Sequence, residues 1–135
     1  MNKIIKCNDL NITIYIEDTD FQGFVYHANY LKFFERARSD FLSSNKISQK
    51  VLRINNLAFV VKKINLNYVS AAELGDDLII KTSVEKKSDA RMIFSQKIIN
   101  SSNKNFVDGT IDICLINLIT KKPQKFPDDL LLIFE

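Results

Sequence analysis

Tryptophan is missing from the 135 residues, histidine occurs once, and the chain holds only three glycines, two prolines and two cysteines. Each scarcity removes a class of function. With one histidine, and with Cys7 and Cys114 in unrelated contexts, no His/Cys/Asp cluster has the spacing of a metal site. The cysteine pair has no redox-motif spacing either, so a reduced, cytoplasmic setting is expected. No apolar run approaches the roughly 18 residues of a membrane span, and the N-terminal MNKIIKCNDLNI has no long apolar core with a cleavage site. The net charge of +3 is too mild to argue for nucleic acid, and no basic stripe studded with aromatics appears. Repeats and low-complexity linkers are absent too. A single domain over residues 1–135 is expected, because a chain of this length can bury its own core. The ten phenylalanines, beside abundant Asn, Lys and Ile, look like genomic base-composition bias and say nothing of mechanism.

What the chain does have is concentrated in residues 15–38, YIEDTDFQGFVYHANYLKFFERAR. Glu17, Asp18 and Asp20 crowd three carboxylates into four positions. Gly23 permits a turn with positive φ or the close approach of a ligand. From Tyr30 the apolar residues fall at Tyr30, Phe33, Phe34, Ala37 and Phe41, the spacing of one buried helical face, with Asn29 placed to act as its N-cap. The helix then begins just after His27, and its leading N–H groups and the positive end of its dipole face the aspartate loop. An acid or base beside oriented N–H donors is what acyl transfer needs, since charge develops on a carbonyl oxygen in the transition state. Each piece also has a bland role: Asp-Thr-Asp as turn chemistry, His27 as a surface residue, Glu35 and Arg38 as an i, i+3 surface pair.

Around this stretch the periodicity switches to two. Strands are expected at Asn11 to Ile16, from Ala58 to Tyr68, from Leu78 to Glu85, from Met92 to Ile99 and from Val107 to Leu115. Phe59 and Val61 have the opposite parity to Ile64, Leu66 and Tyr68, which predicts a bulge near Val61 and Lys62. Gly109 marks tight packing or a bend in the last strand. The main helix is expected from Tyr30 to about Ser43, a short second helix over Ser48 to Arg53 capped by Ser48, and a final one over Asp128 to Phe134 started by Pro127. An antiparallel sheet needs one apolar face covered, and the phenylalanine-rich helix is the element long enough to cover it.

Tyr15, Glu17, Asp18, Thr19, Asp20, Gly23, Val25, Tyr26, His27, Asn29, Tyr30 and the run Glu35 to Arg38 resemble the signature of hotdog-fold acyl-CoA thioesterases of the 4-hydroxybenzoyl-CoA thioesterase family. Within it the pattern is nearest to the bacterial branch encoded beside the Tol/Pal envelope system. The likeness extends through Ala58 to Tyr68, Asp76 to Thr82, Phe94 to Asn100 and the Lys122–Pro123 segment. It implies an α+β hotdog fold, a five-stranded antiparallel sheet wrapped round a long central helix.

The resemblance also implies chemistry. Asp20 takes the place of the catalytic carboxylate, acting as nucleophile through a mixed anhydride or as general base on a water. The His27 N–H, with help from the Tyr26 N–H or the His27 side chain, polarises the thioester carbonyl, and Asp18 supports the loop. Phe21 and Gln22 depart from the small residues usual after the second aspartate, so Phe21 is expected to line or narrow the acyl pocket. Gly23 and Asn29 belong to the same binding loop. The implied substrate is a short or medium acyl-CoA, with acyl carrier protein as another possible carrier; coenzyme A is part of the substrate and no cofactor is expected. Its phosphates call for cations, and Lys86, Lys87 and Arg91, with Lys62 and Lys63, are the candidates. A homodimer or homotetramer follows from the exposed sheet edge such a fold leaves. The alternatives are a non-catalytic acyl-CoA or acyl-carrier-protein adaptor of the envelope system and, from another class, a hotdog dehydratase.

Overall fold

The computed structural model describes residues 3–135; Met1 and Asn2, the first two residues of the expected domain, lie outside the described residues. The elements run β1 (Ile4–Lys6), β2 (Leu10–Thr13), a 3-10 turn (Ile16–Asp18), α1 (Asn29–Ser44), α2 (Gln49–Ile54), β3 (Leu57–Tyr68), β4 (Asp77–Ser88), β5 (Arg91–Ile99), β6 (Asn105–Asn117) and α3 (Asp128–Ile133). Six strands form one antiparallel sheet in the order β1-β4-β5-β6-β3, with β2 also on β4. The expected five strands are thus corrected to six. Because β1 pairs with Ser83 to Glu85 and β2 with Asp77 to Ile80, the two occupy one edge of β4 in tandem. Three-residue β1 is too short to show a period. Ile16, read as a strand end, sits instead in the 3-10 turn and is exposed.

Alternation holds along most of the sheet: Leu78, Ile80, Val84, Met92, Phe94, Ile98, Ile111, Ile113 and Leu115 are buried, and it breaks where Ile99 and Cys114, of the opposite parity, are buried as well. Against this face lies α1, whose Tyr30, Phe33, Phe34, Ala37 and Phe41 are all buried. Each such phenylalanine contributes about 2 kcal/mol by leaving water, which outweighs the modest intrinsic helix propensity of aromatic residues. The helix stops where the Asn45 side chain bonds the Phe41 carbonyl at 2.8 Å and Lys46 takes a left-handed φ of 62°. Ser48 caps α2 by accepting from the Val51 N–H at 3.1 Å, as its position predicted. Pro127 stands at the N-cap of α3.

The long strand β3 forms one edge of the sheet, opposite the edge made by β1 and β2. Its register on β6 slips between Val61 and Lys63, so Lys62 is the extra residue of a bulge and the parity change seen in the sequence is real. A Cβ on Gly109 would collide with the Asn65 carbonyl and with Leu66, so β3 and β6 approach there more closely than any other residue allows. Among the described residues no helix is long and apolar enough to cross a membrane.

Candidate active site

The segment leading into α1 is built around a buried carboxylate. Asp18 accepts the Tyr15 N–H at 2.9 Å and the Asn29 side-chain amide at 2.8 Å, and its own carbonyl accepts the Tyr26 N–H at 2.9 Å. One residue therefore ties the 3-10 turn, the returning loop and the first turn of the helix together. Asn29 is the first residue of α1 and Ala28 its cap position, so the expected N-cap role of Asn29 is corrected: its side chain reaches back to Asp18 instead. The Tyr26 N–H is spent on the same residue and is no free donor, which corrects its expected help at the carbonyl.

Asp20 sits at the start of a tight turn. Its N–H bonds the Phe24 carbonyl at 2.7 Å, its carbonyl accepts from Gly23 at 3.0 Å, and its Oδ1 accepts the Gln22 N–H at 2.9 Å. Gly23 closes the turn with a φ of 83°, which a side chain would strain. Asp20 is exposed, and that Gln22 bond is its one side-chain hydrogen bond among the described residues. The turn is stitched to residues 72–74 through the Val25 N–H on the Ala72 carbonyl at 2.9 Å and the Leu74 N–H on the Gly23 carbonyl at 3.1 Å. Tyr30 completes the join by accepting the Ala72 N–H at 3.1 Å, and its burial raises its phenol's pKa.

Between Tyr26 and α1 the chain makes one tight turn, closed by the Asn29 N–H on the Tyr26 carbonyl at 2.8 Å. The N–H groups of His27, Ala28 and Tyr30 carry no acceptor among the described residues. They are the unsatisfied donors of a helix's leading turn. The His27 ring is exposed and packs on Tyr26, with centroids 4.6 Å apart, while Tyr68 of β3 bonds the His27 carbonyl at 3.2 Å. The sequence placed Tyr68 on one face of β3 with Ile64 and Leu66, and its partner across the loop, the His27 carbonyl, was not legible there.

Asp20, Gly23, Tyr26 and His27 thus share one loop, and Asn29 opens the helix that follows it. Phe21, at the loop's tip, is fully exposed and lines none of four hollows found among the described residues, so the expected pocket wall is not formed in them. Those hollows include about 820 Å³ between α1 and β2 and about 600 Å³ on the outer sheet face, and neither Asp20 nor His27 lines any of them. Lys86, Lys87 and Arg91 gather at the β4–β5 hairpin, the opposite end of β4 from the Asp20 loop, about 30 Å along the strand. Each faces an acid: Lys86 meets Asp89 at 2.9 Å, Lys87 meets Glu85 at 3.5 Å, and Arg91 holds Asp112 through two hydrogen bonds. No group of three or more metal-ligating side chains gathers among the described residues.

A family model described as the thioesterase-like superfamily matches residues 14–134. The chain belongs to that superfamily. Acyl-CoA thioester hydrolase YbgC of Escherichia coli O6:H1 is 33% identical to it over 124 residues, 92% of each chain. Acyl-CoA thioesterase YbgC of Haemophilus influenzae is 38% identical over 119 residues, 87% of each. Among solved structures, a probable thioesterase from Bartonella henselae superposes with a TM-score of 0.82 at 35% identity, covering 89% of this chain and 98% of that one. The family resemblance carried by residues 15–38 is thereby borne out, and thioester hydrolysis is the chemistry of this thioesterase-like chain's family.

Proposed function

We propose that the chain hydrolyses acyl-CoA thioesters of short or medium chain length, with Asp20 as the catalytic carboxylate and the His27 N–H as oxyanion donor. The observation that carries this reading is the division of labour inside one loop. Asp18 and Asn29 are consumed in holding it, whereas the Asp20 carboxylate and the His27 N–H are left over, one with a single side-chain hydrogen bond and the other with none. As nucleophile, an Asp20 oxygen adds to the thioester carbon, the C–S bond breaks, coenzyme A leaves as the thiol after taking a proton, and water opens the mixed anhydride. As general base, Asp20 takes the proton of a water that adds to the same carbon, and as the tetrahedral intermediate collapses the C–S bond breaks and that proton passes to the departing thiolate of coenzyme A. Either route places negative charge on the carbonyl oxygen, where a preorganised N–H lowers the barrier.

Because Asp20 and Phe21 lie on the surface of the single chain, a second copy is proposed to complete the site. The Tyr26 ring and Phe21 then become walls of the acyl pocket. Hydrolysis of an acyl-CoA length series by Asp20→Asn and Asp20→Ala tests the assignment. Loss of roughly 10²- to 10⁴-fold in kcat is expected for a general base; full activity in both variants overturns it. His27→Ala keeps its N–H and is expected to keep most of the activity.

A further inference from the structure

A separate cavity of about 150 Å³ opens between α1 and the inner face of the sheet, walled by Leu42, Phe59, Met92, Phe94 and Ile113 with Arg38 beside them. From His27 the chain climbs about 16 Å along the helix axis to reach it, so within one chain it is not the Asp20 loop's own pocket. The cavity floor is apolar and its mouth polar, at Glu35, Ser39 and Gln49, and a volume that admits a molecule as large as benzene sets the occupant at about six carbons.

Arg38 distinguishes this space from a packing defect. A guanidinium carries five N–H donors in a planar fork. Here Nη1 donates to Gln96 Oε1 at 3.1 Å, and among the described residues no carboxylate comes within ion-pairing distance. Gln96 itself is buried and gives its amide hydrogens to the Phe34 carbonyl at 3.0 Å and to Thr82 Oγ1 at 3.1 Å, which commits its oxygen to Arg38. A buried polar arrangement on the inward face of the sheet holds the half-buried arginine in place, and the rest of its fork has no protein partner among the described residues and stays within reach of solvent or a ligand. Burial disfavours the charge it carries, so a negative occupant would relieve it. Glu35 stands on the same rim and its charge offsets part of that effect of burial, but it is exposed, lies outside ion-pairing distance of Arg38 and accepts the Ser39 hydroxyl at 2.7 Å.

We propose that this cavity binds a carboxylate on a short aliphatic chain, the carboxylate gripped by Arg38 and about six carbons packed on Phe59, Met92, Phe94 and Ile113. The proposal goes beyond hydrolysis and needs no turnover to be tested. Two sources present this chemistry: a free short-chain acid, or an acyl group that ends in a second carboxylate.

The test titrates the whole protein with hexanoate, 1-hexanol and acetate by calorimetry, following the Arg38 side-chain N–H by NMR. Hexanoate is expected to move that resonance and to bind at least about tenfold more tightly than either control, since a charge-assisted bond is worth about 1.5 to 3 kcal/mol. Arg38→Gln is expected to lower hexanoate affinity about 10- to 100-fold and to leave 1-hexanol unchanged. Met92→Phe, which leaves Arg38 and Gln96 intact, is expected to abolish hexanoate binding by filling the cavity and keeps the test decisive should Arg38→Gln not fold. Displacement of hexanoate by a six-carbon acyl-CoA ending in a carboxylate, but not by hexanoyl-CoA, assigns the site to the acyl terminus. Displacement by neither assigns it to the free acid. Equal binding of hexanoate and 1-hexanol, or hexanoate affinity unchanged in Met92→Phe or Arg38→Gln, overturns the proposal.

Discussion

Asp18 and Asp20 stand two residues apart in opposite surroundings. Asp18 is 7% exposed and accepts two hydrogen bonds, while Asp20 is exposed and accepts one. Removing the Asp18 carboxylate leaves the Tyr15 N–H and the buried Asn29 amide without acceptors, a loss of about 3 kcal/mol. Thermal unfolding of Asp18→Ala is therefore expected roughly 10 °C below the parent. Asp18→Asn is expected to lose less, because the Asn29 amide can flip to present its oxygen; equal melting of Asp18→Ala and the parent would contradict the keystone role. Both aspartates were visible in the sequence as a crowded acidic loop, and the resemblance ranked them. Their contrast in burial was not visible, because it depends on where the chain returns at Tyr26 and Asn29, eight to eleven residues later.

Among the elements, α1 and the four long strands were legible because each buries one face, and burial imposes a period of 3.6 or 2 on the apolar residues. Gln96 broke the pattern. It follows Met92 and Phe94 at the inward parity of β5, and the sequence alone offered no reason for an amide there; the reason is the Phe34 carbonyl and Arg38 on the facing helix. The β1–β2 interruption was equally hidden, since a three-residue strand has no period to display. Gly109 could be read as a place of close approach, and the β3 backbone over it makes the consequence quantitative. Gly109→Ala is expected to cost at least about 1 to 3 kcal/mol, because the obstacle is backbone and cannot rotate away. Urea denaturation measures it, and an unchanged midpoint would mean that β3 gives way easily.

At the scale of the whole molecule, β3 is an uncovered edge with Val61, Ile64 and Tyr68 exposed along it, and the Asp20 loop adds Phe21 and Phe24 to the exposed apolar surface. Such surface favours a symmetric partner. Light scattering is expected to give at least twice the 15.6 kDa chain mass for the active species, and an active monomer would contradict a shared site. In that assembly the hairpin cations Lys86, Lys87 and Arg91, remote from their own Asp20 loop, would serve a neighbour's coenzyme A; a KM that rises with salt in the same active species would report those phosphate contacts. The bulge at Lys62 has a further consequence for this edge. Val61 already lies opposite Ile113 and Lys63 opposite Asp112, so a chain shortened by that one lysine would keep all its pairings on β6. What it would lose is the extra twist that the bulge gives this margin, which limits the surfaces able to pair with it. Straightened, the same margin would invite the open-ended stacking from which fibres grow.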